Sequence, residues 1–257
     1  NKYYAKLEGL YVKQARRVLV ELLEQETNSL KSISKPKEQM VKFYEKGEHP
    51  LEFVPTRQWF VNILSHKDKL LAMGDKINWY PAHMQKRYEQ WVQGLNQNWC
   101  ISRQRFFGVP IPVWYKLDKN SEPDYNNPIL PDIASLPLDP QAVAPAGYTE
   151  AQRNQPNGFM GDPDVMDTWA TSSLSPQINS HWANDSDRHK ALYPADLRPQ
   201  AHEIIRTWAF YTVTKSFLHE NSLPWHNIAI SGWVVNPDKS NISLLSKYLT
   251  GIISFIA

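Results

Sequence analysis

The sequence predicts an α/β fold with a parallel, doubly wound sheet, on three observations. Order resumes after a polar stretch at "DPDVMDTWATSSL" (162–174), "RPQAHEIIRTWAFYTVTKSFL" (198–218) reads as a helix with Pro199 near its start, and "NIAISGWVV" (227–235) is a short apolar strand interrupted by Gly232. Strand, crossover helix and strand joined by loops of this length imply parallel pairing, because antiparallel neighbours need only a tight turn.

From the start of the chain, Leu7, Tyr11, Ala15, Val18, Leu19, Leu22 and Leu23 recur at three- and four-residue spacing. That period predicts an amphipathic helix over residues 3–26, with Gly9 weakening its start and a basic opposite face. Residues 27–50 are polar and rich in Lys, a connector with at most a short strand around Met40 to Tyr44, and a boundary falls near residue 50. "LEFVPTRQWFVNIL" (51–64) reads as a strand pair, or a strand and turn. A short helix follows, with Ser65 as its N-cap, Asp68 three residues on and Gly74 as its stop. Pro81 in a first-turn position opens another helix, with Met84, Tyr88, Trp91, Val92 and Leu95 on one side. The two prolines of "GVPIPVWY" (108–115) mark an extended edge or crossover segment. Residues 116–160 are dominated by Asp, Asn, Pro and Gln, as in a surface insertion, and hold no Cys or His for a zinc knuckle.

The chain has 257 residues, with ten Trp, twelve Tyr and nineteen Pro, which point to a loop-rich protein with aromatic-lined surfaces and exclude fibrous and disordered classes. Net charge is only +2, yet residues 1–115 hold 18 Lys and Arg against 11 Asp and Glu, while the remainder holds 10 against 15. A basic half suits a polyanion as well as it suits plain solvation. One cysteine, Cys100, excludes an internal disulfide and fits a reducing compartment, so a cytoplasmic location is expected. The opening residues read as a pattern already under way, as in an internal fragment.

The motif "WCISRQRFFGVPIPVWY" (99–115) places two arginines among five aromatics; Arg offers a rigid fork to phosphates and stacks on bases. The same residues suit a plainer role, with Ser102 and Arg103 tying loops together through backbone hydrogen bonds. Together with "GDPDVMDTWATSSL" (161–174), "RPQAHEIIRTWAFY" (198–211) and "ISGWVVNPD" (230–238), this motif resembles class I aminoacyl-tRNA synthetases, most of all their valine-specific members. "GLYVKQARRVLVELL" (9–23) and "KFYEKGEHPLEFVPTRQWFV" (42–61) resemble the exit from that group's editing insertion and the return to its core. The similarity runs from about residue 9 to 238.

The resemblance implies a partial Rossmann-like catalytic core. Residues 1–50 would be the end of an editing insertion, 51–115 and 161–257 two core segments, and 116–160 a loop-rich insertion between them. The parent would be an ATP-dependent ligase, using ATP with Mg2+ to join valine to tRNA(Val) through valyl-adenylate, and a monomer with no metal bound in this segment. An isoleucine-specific synthetase and a non-catalytic remnant that binds tRNA or a partner are the alternatives. Trp169, Ile204 and Trp208 would surround the valine side chain; Ile204 and Trp208, four apart, would share a helix face. Backbone around Gly232, Trp233 and Val234 would hold adenine, and Arg103 and Arg105 would face RNA. Asp167, His202 and Glu203 stay open between substrate contact and structural ion pairs.

One departure from the family pattern stands out. Where a Lys-Met-Ser-Lys-Ser loop should follow "VVNPDK", the chain has Asn241, Ile242, Ser243, Leu244 and Leu245, which keep the first serine and lose both lysines. Lys247 is displaced by several positions, and a frameshift or artificial junction near residue 239 would explain the change.

Overall fold

The computed structural model describes residues 3–25, 30, 32, 40–43, 48, 50–51 and 55–232. The chain divides into two compact units, Asn1–Thr56 and Arg57–Ala257. In the first, a 3-10 turn at Tyr4–Lys6 precedes helix α1, Val12–Gln25. The single helix expected over 3–26 is therefore broken. Gly9 adopts φ +76°, the left-handed region that ends a right-handed turn, and the helix restarts three residues later. Further on, Phe43 and Pro50 form an isolated antiparallel bridge and the Leu51 N–H donates to the Lys42 carbonyl at 2.8 Å. Tyr44, the end of the strand expected there, lies outside the described residues.

The second unit runs through β1 (Phe60–Val61), α2 (Lys67–Asp75), β2 (Asn78–Tyr80), α3 (Gln85–Gly94), β3 (Trp99–Cys100), β4 (Ser102–Arg103), β5 (Trp114–Lys116), β6 (Phe159–Gly161), β7 (Val165–Met166), α4 (Thr168–Ser172), α5 (Ser175–Asn179), α6 (Ser186–Leu192), β8 (Ala195–Ala201), α7 (Phe210–Glu220) and β9 (Trp225–Ser231). Its centre is a parallel sheet of order β2-β9-β8, with Asn78 opposite Asn227 and Ala195 opposite Trp225. The β8–α7–β9 succession is the crossover that the sequence predicts. Its first strand is not "DPDVMDTWATSSL", however, but the segment read as the start of a helix. Pro199 sits inside β8, opposite Ala229. β8 is an edge strand, where a residue without an N–H is tolerated.

Leu70 and Met73 of α2, Tyr88 and Val92 of α3, and Phe210, Val213 and Phe217 of α7 join Trp79, Trp225, Ile228 and Ile230 of the sheet in one buried cluster. The helix α2 differs from expectation at both ends. Ser65 lies within a 3-10 turn, Leu64–His66, and provides no cap. The N–H groups of Ile63 and Leu64, at the start of that 3-10 turn, donate to Asn98 Oδ1, each at 3.2 Å, so the turn before α2 is capped from beyond α3. Gly74 does not stop the helix but allows a close approach: a Cβ there would lie 2.5 Å from Tyr88 Cε1. Tyr88 is fully buried, its hydroxyl donating to the Leu70 carbonyl at 2.9 Å, so the ring has nowhere to retreat.

A second, smaller cluster forms around Ile111, Val113 and Tyr115. β5 pairs antiparallel with β6, so the polar stretch 117–158 leaves and returns at adjacent points. Its path is fixed by polar contacts: Trp114 Nε1 donates to the carbonyls of Pro140 (3.1 Å) and Val143 (2.8 Å), and Arg153 Nη1 to that of Pro140 (2.7 Å). Buried Asp162 accepts from Trp59 Nε1 and the Tyr115 hydroxyl, both at 2.6 Å. Burial, and then the Asp162 bond, hold the Tyr115 hydroxyl above the ordinary tyrosine range.

Gly74→Ala should lower stability to urea by roughly 1–2 kcal/mol, because overpacking outweighs the gain in helix propensity. Gly94→Ala, at a helical position with open space around it, should leave stability unchanged or raise it by up to about 1 kcal/mol. Equal effects at both positions would count against the packing role of Gly74.

Candidate functional site

In an open α/β sheet, ligands bind outside the carboxyl ends of the strands, because helix starts and loop backbone converge there. Here β8 ends at Ala201 directly opposite Ser231, the last residue of β9. A 3-10 turn, His202–Ile204, and a π turn, Ile205–Ala209, leave the carboxyl end of β8, and Gly232 leaves that of β9. Ile204, Trp208 and Gly232 thus fall at one edge of the sheet. Gly232 is exposed, with nothing within 4 Å of the place a Cβ would occupy. Trp233, Val234 and the degenerate motif Asn241, Ile242, Ser243, Leu244 and Leu245 lie outside the described residues.

The helix-face argument for Ile204 and Trp208 needs correction. They sit in a 3-10 turn and a π turn rather than on one α-helix, so regular 100° spacing does not apply. What ties Trp208 to the helix that carries Trp169 is a hydrogen bond. Trp208 Nε1 donates to the carbonyl of Ser172 at 3.2 Å, three residues after Trp169 on α4. Both indoles are half-buried, and Trp169 packs against the main cluster, while Ile204 is 6% exposed. On the other side of Trp208, Arg198 of β8 lies with Cζ 3.1 Å from the ring centroid, a cation–π contact that the sequence did not announce. His202 is buried, its Nδ1 3.4 Å from Glu203 Oε2.

Arg103 and Arg105 occupy different surroundings. Arg103 Nη2 meets Asp167 Oδ2 at 2.6 Å, and Nη1 donates to the carbonyls of Ser102 (2.7 Å) and Cys100 (3.2 Å). The backbone-tying role is thus realised in the structure. Asp167 is 6% exposed, and its other oxygen caps α4 by accepting the Trp169 N–H at 3.0 Å. Both oxygens of this carboxylate are engaged by protein donors. Arg105 is exposed beside Phe106 and Phe107, which are 104% and 90% exposed. The loop that presents them is anchored at both ends. Gln104 Nε2 donates to Asp164 Oδ2 at 2.8 Å, and Gly108 lies so close to β7 that a Cβ would be 2.7 Å from Val165 Cγ2.

The sequence missed Asn98, Arg198 and the Ser172 carbonyl. Asn98 was legible in principle, as an amide acceptor in a polar turn; the other two become visible only once β8 is a strand. A cleft lined by Leu174, Gln177, Ile178, His181, Trp182 and Asn184 holds none of the expected site residues. Among the described residues no group of three His, Cys, Asp or Glu is arranged to hold a metal ion, and no helix is long and apolar enough to cross a membrane.

A parallel sheet with Ile204, Trp208 and Gly232 beyond its carboxyl ends has the geometry of an open α/β ligand edge, and comparison supplies the family. Residues 8–249 match the family model "tRNA synthetases class I (I, L, M and V)", and the chain belongs to that family. The match reaches past residue 238, where the quoted motifs end. The chain is 53% identical over 244 residues to the valine–tRNA ligase of Salinispora tropica and 52% identical over 247 residues to that of Thermobifida fusca. Each comparison covers 93% of this chain and 28% of the relative, so the chain spans little more than a quarter of the length of these proteins. Among solved structures, Mycobacterium tuberculosis methionyl-tRNA synthetase bound by methionyl-adenylate matches at TM-score 0.47 and 17% identity, covering 79% of this chain and 31% of that one.

Asp167→Ala removes the α4 cap and leaves the Arg103 guanidinium without its carboxylate, which should cost roughly 2–4 kcal/mol. Asp167→Asn keeps an acceptor for the Trp169 N–H and should recover about 1 kcal/mol of that. Urea unfolding of the three proteins checks the order, and identical losses would remove the capping role.

Proposed function

We propose that this chain is part of an ATP-dependent ligase that attaches valine to tRNA(Val) through valyl-adenylate. The observation that carries the reading is the Trp208–Ser172 hydrogen bond, which hangs two rigid indoles on one short helix beyond the carboxyl end of β8. Walls of that kind, with Ile204 in the turn that follows β8, would exclude a larger aliphatic side chain by overlap. The valine–tRNA ligase relatives support the same amino acid. Backbone at Gly232, Trp233 and Val234 would receive adenine. Mg2+ would arrive with the phosphates of ATP, as it does where a protein offers no cage of its own.

In this reading residues 1–50 are the end of an editing insertion, 51–115 and 161–257 are core segments, and 116–160 is an insertion between them. Activation and transfer depend on positioning and on stabilising charge at the α-phosphate. Each lost cationic contact to a developing anion lowers the rate about 10²- to 10³-fold. With Asn241 and Leu244 in place of the two lysines of the family motif, the chain alone is expected to show no valine-dependent ATP–pyrophosphate exchange above blank. We assign the acceptor RNA to the Arg105 loop, whose exposed cation and neighbouring rings suit a stacked, single-stranded end. The intact protein would be a cytoplasmic monomer.

A stable sulfamoyl analogue of valyl-adenylate should raise the melting temperature of the chain more than the isoleucyl analogue does. The reverse order would transfer the assignment to isoleucine. For RNA, filter binding of a single-stranded acceptor end should weaken with salt, and Arg105→Ala should lower the slope of log K against log [salt] by about one. Binding indifferent to salt would remove phosphate contacts from the account.

A further inference from the structure

We propose that Arg103 and Asp167 form a clamp that sets the gap between Trp169 and Trp208, making Arg103 a positioning residue for the amino acid pocket. The inference rests on the valine-pocket reading above and deepens it. α4 has five residues, too few to hold a helical conformation or a fixed place unaided, so the contacts at its two ends decide where it lies. At the first end, Asp167 is held three ways. Its N–H donates to the Ile101 carbonyl at 2.7 Å, Oδ1 accepts from Trp169 N–H at 3.0 Å, and Oδ2 meets Arg103 at 2.6 Å. The Arg103 fork is itself fixed on the Ser102 and Cys100 carbonyls, so the guanidinium ties the β3–β4 corner to the start of α4. At the other end, the Ser172 carbonyl receives the Trp208 indole, whose face is covered by Arg198.

A helix of this length is a rod of about 7 Å. A displacement of its capped end is carried to Ser172 and so to the Trp208 indole. Trp169, whose own N–H is the capped group, moves with the first end. The Arg103–Asp167 pair therefore sets the position of one wall directly and of the other through the helix. Because Asp167 is 6% exposed, losing its cation leaves a buried charge that the local backbone must rearrange to hydrate. An ion pair of purely local consequence would move Trp169 and leave Trp208 where it is.

The test uses the chain labelled with 5-fluorotryptophan, with the two resonances assigned by Trp169→Phe and Trp208→Phe. Arg103→Met and Asp167→Asn should each shift both fluorine signals without ligand, and Arg103→Lys, which keeps the charge, should restore most of both shifts. Movement of the Trp169 signal alone, or of neither, overturns the clamp. If Arg103→Met does not fold, Asp167→Asn, which keeps the cap, decides the same question. Addition of the valyl and isoleucyl sulfamoyl analogues gives a separate reading. In the unaltered chain the valyl analogue should perturb both indoles, and Arg103→Met should narrow its preference over the isoleucyl analogue about tenfold. Absence of any ligand response in the unaltered chain overturns the pocket reading, while the ligand-free shifts still decide the clamp.

Discussion

The second unit is organised by the parallel pairing of β9 with strands on both sides. Its partners are β8, reached through one crossover helix, and β2, with Asn78 lying 149 positions from Asn227. No turn can enforce such a pairing; burial has to. Ile228 is fully buried, and Trp79, Trp225 and Ile230 are nearly so, which makes β9 the strand that the helices α2, α3 and α7 cover together. A polar strap crosses the same strands at the rim: Asn78 Nδ2 donates to Asn227 Oδ1 at 3.1 Å, and Asn227 Nδ2 to the Asp196 carbonyl at 2.8 Å. Side-chain amides that must find one another across three strands fix register, since a slip by one residue would turn Ile228 and Ile230 to the opposite face.

That register has a chemical consequence. With Ala201 opposite Ser231, the chain leaves β8 and β9 at the same level, and whatever follows each strand shares one edge. Into this edge α4 brings Trp169 from a different part of the sequence, through β4–β7 pairing of Ser102 with Met166 and Arg103 with Val165. Residues from three segments that no local rule brings together thus converge on this end of the sheet. Two of them, α4 and the turns after β8, are tied by polar contacts of fixed geometry as well as by apolar packing. Hydrogen bonds are directional where apolar contact is not, so such ties fix orientation as well as distance.

How far the sequence was legible follows from which of these ties are local. Helix α3 could be read from the spacing of Tyr88 and Val92, and the crossover from the alternation of polar and apolar runs. The motif residues Arg103, Trp169, Ile204 and Trp208 could be singled out by resemblance. Periodicity misled at 198–201, where an edge strand carrying Pro199 imitates the first turn of a helix; only the pairing with β9 separates the two. It misled again at Gly74, whose reason is the ring of Tyr88, and at Ser65, which makes no cap, while the turn before it is bonded by Asn98, 34 and 35 positions from Leu64 and Ile63. The Arg103–Asp167 contact spans 64 positions and was equally out of reach, although both residues had been marked. Residue types at the site were readable; their partners were not, because each partner is fixed by sheet register.

The irregular turns after β8 fit the same logic. A π turn leaves its carbonyls displaced from the usual i→i+4 partners, and such turns recur at functional sites because they re-aim side chains without ending the helix. Here one carbonyl of the turn is met by a hydroxyl, Thr212 Oγ1 donating to that of Trp208 at 2.6 Å; in the first turn of α7, Thr214 Oγ1 donates likewise to the Phe210 carbonyl at 2.8 Å. Such back-bonding bends a helix and is mildly unfavourable in isolation. Buried inside α7, with Thr212 and Thr214 almost fully enclosed, it gives the backbone partners that water cannot supply. The Trp208 backbone is therefore engaged from inside α7 through Thr212, while its indole is held by the Ser172 carbonyl on one side and Arg198 on the other.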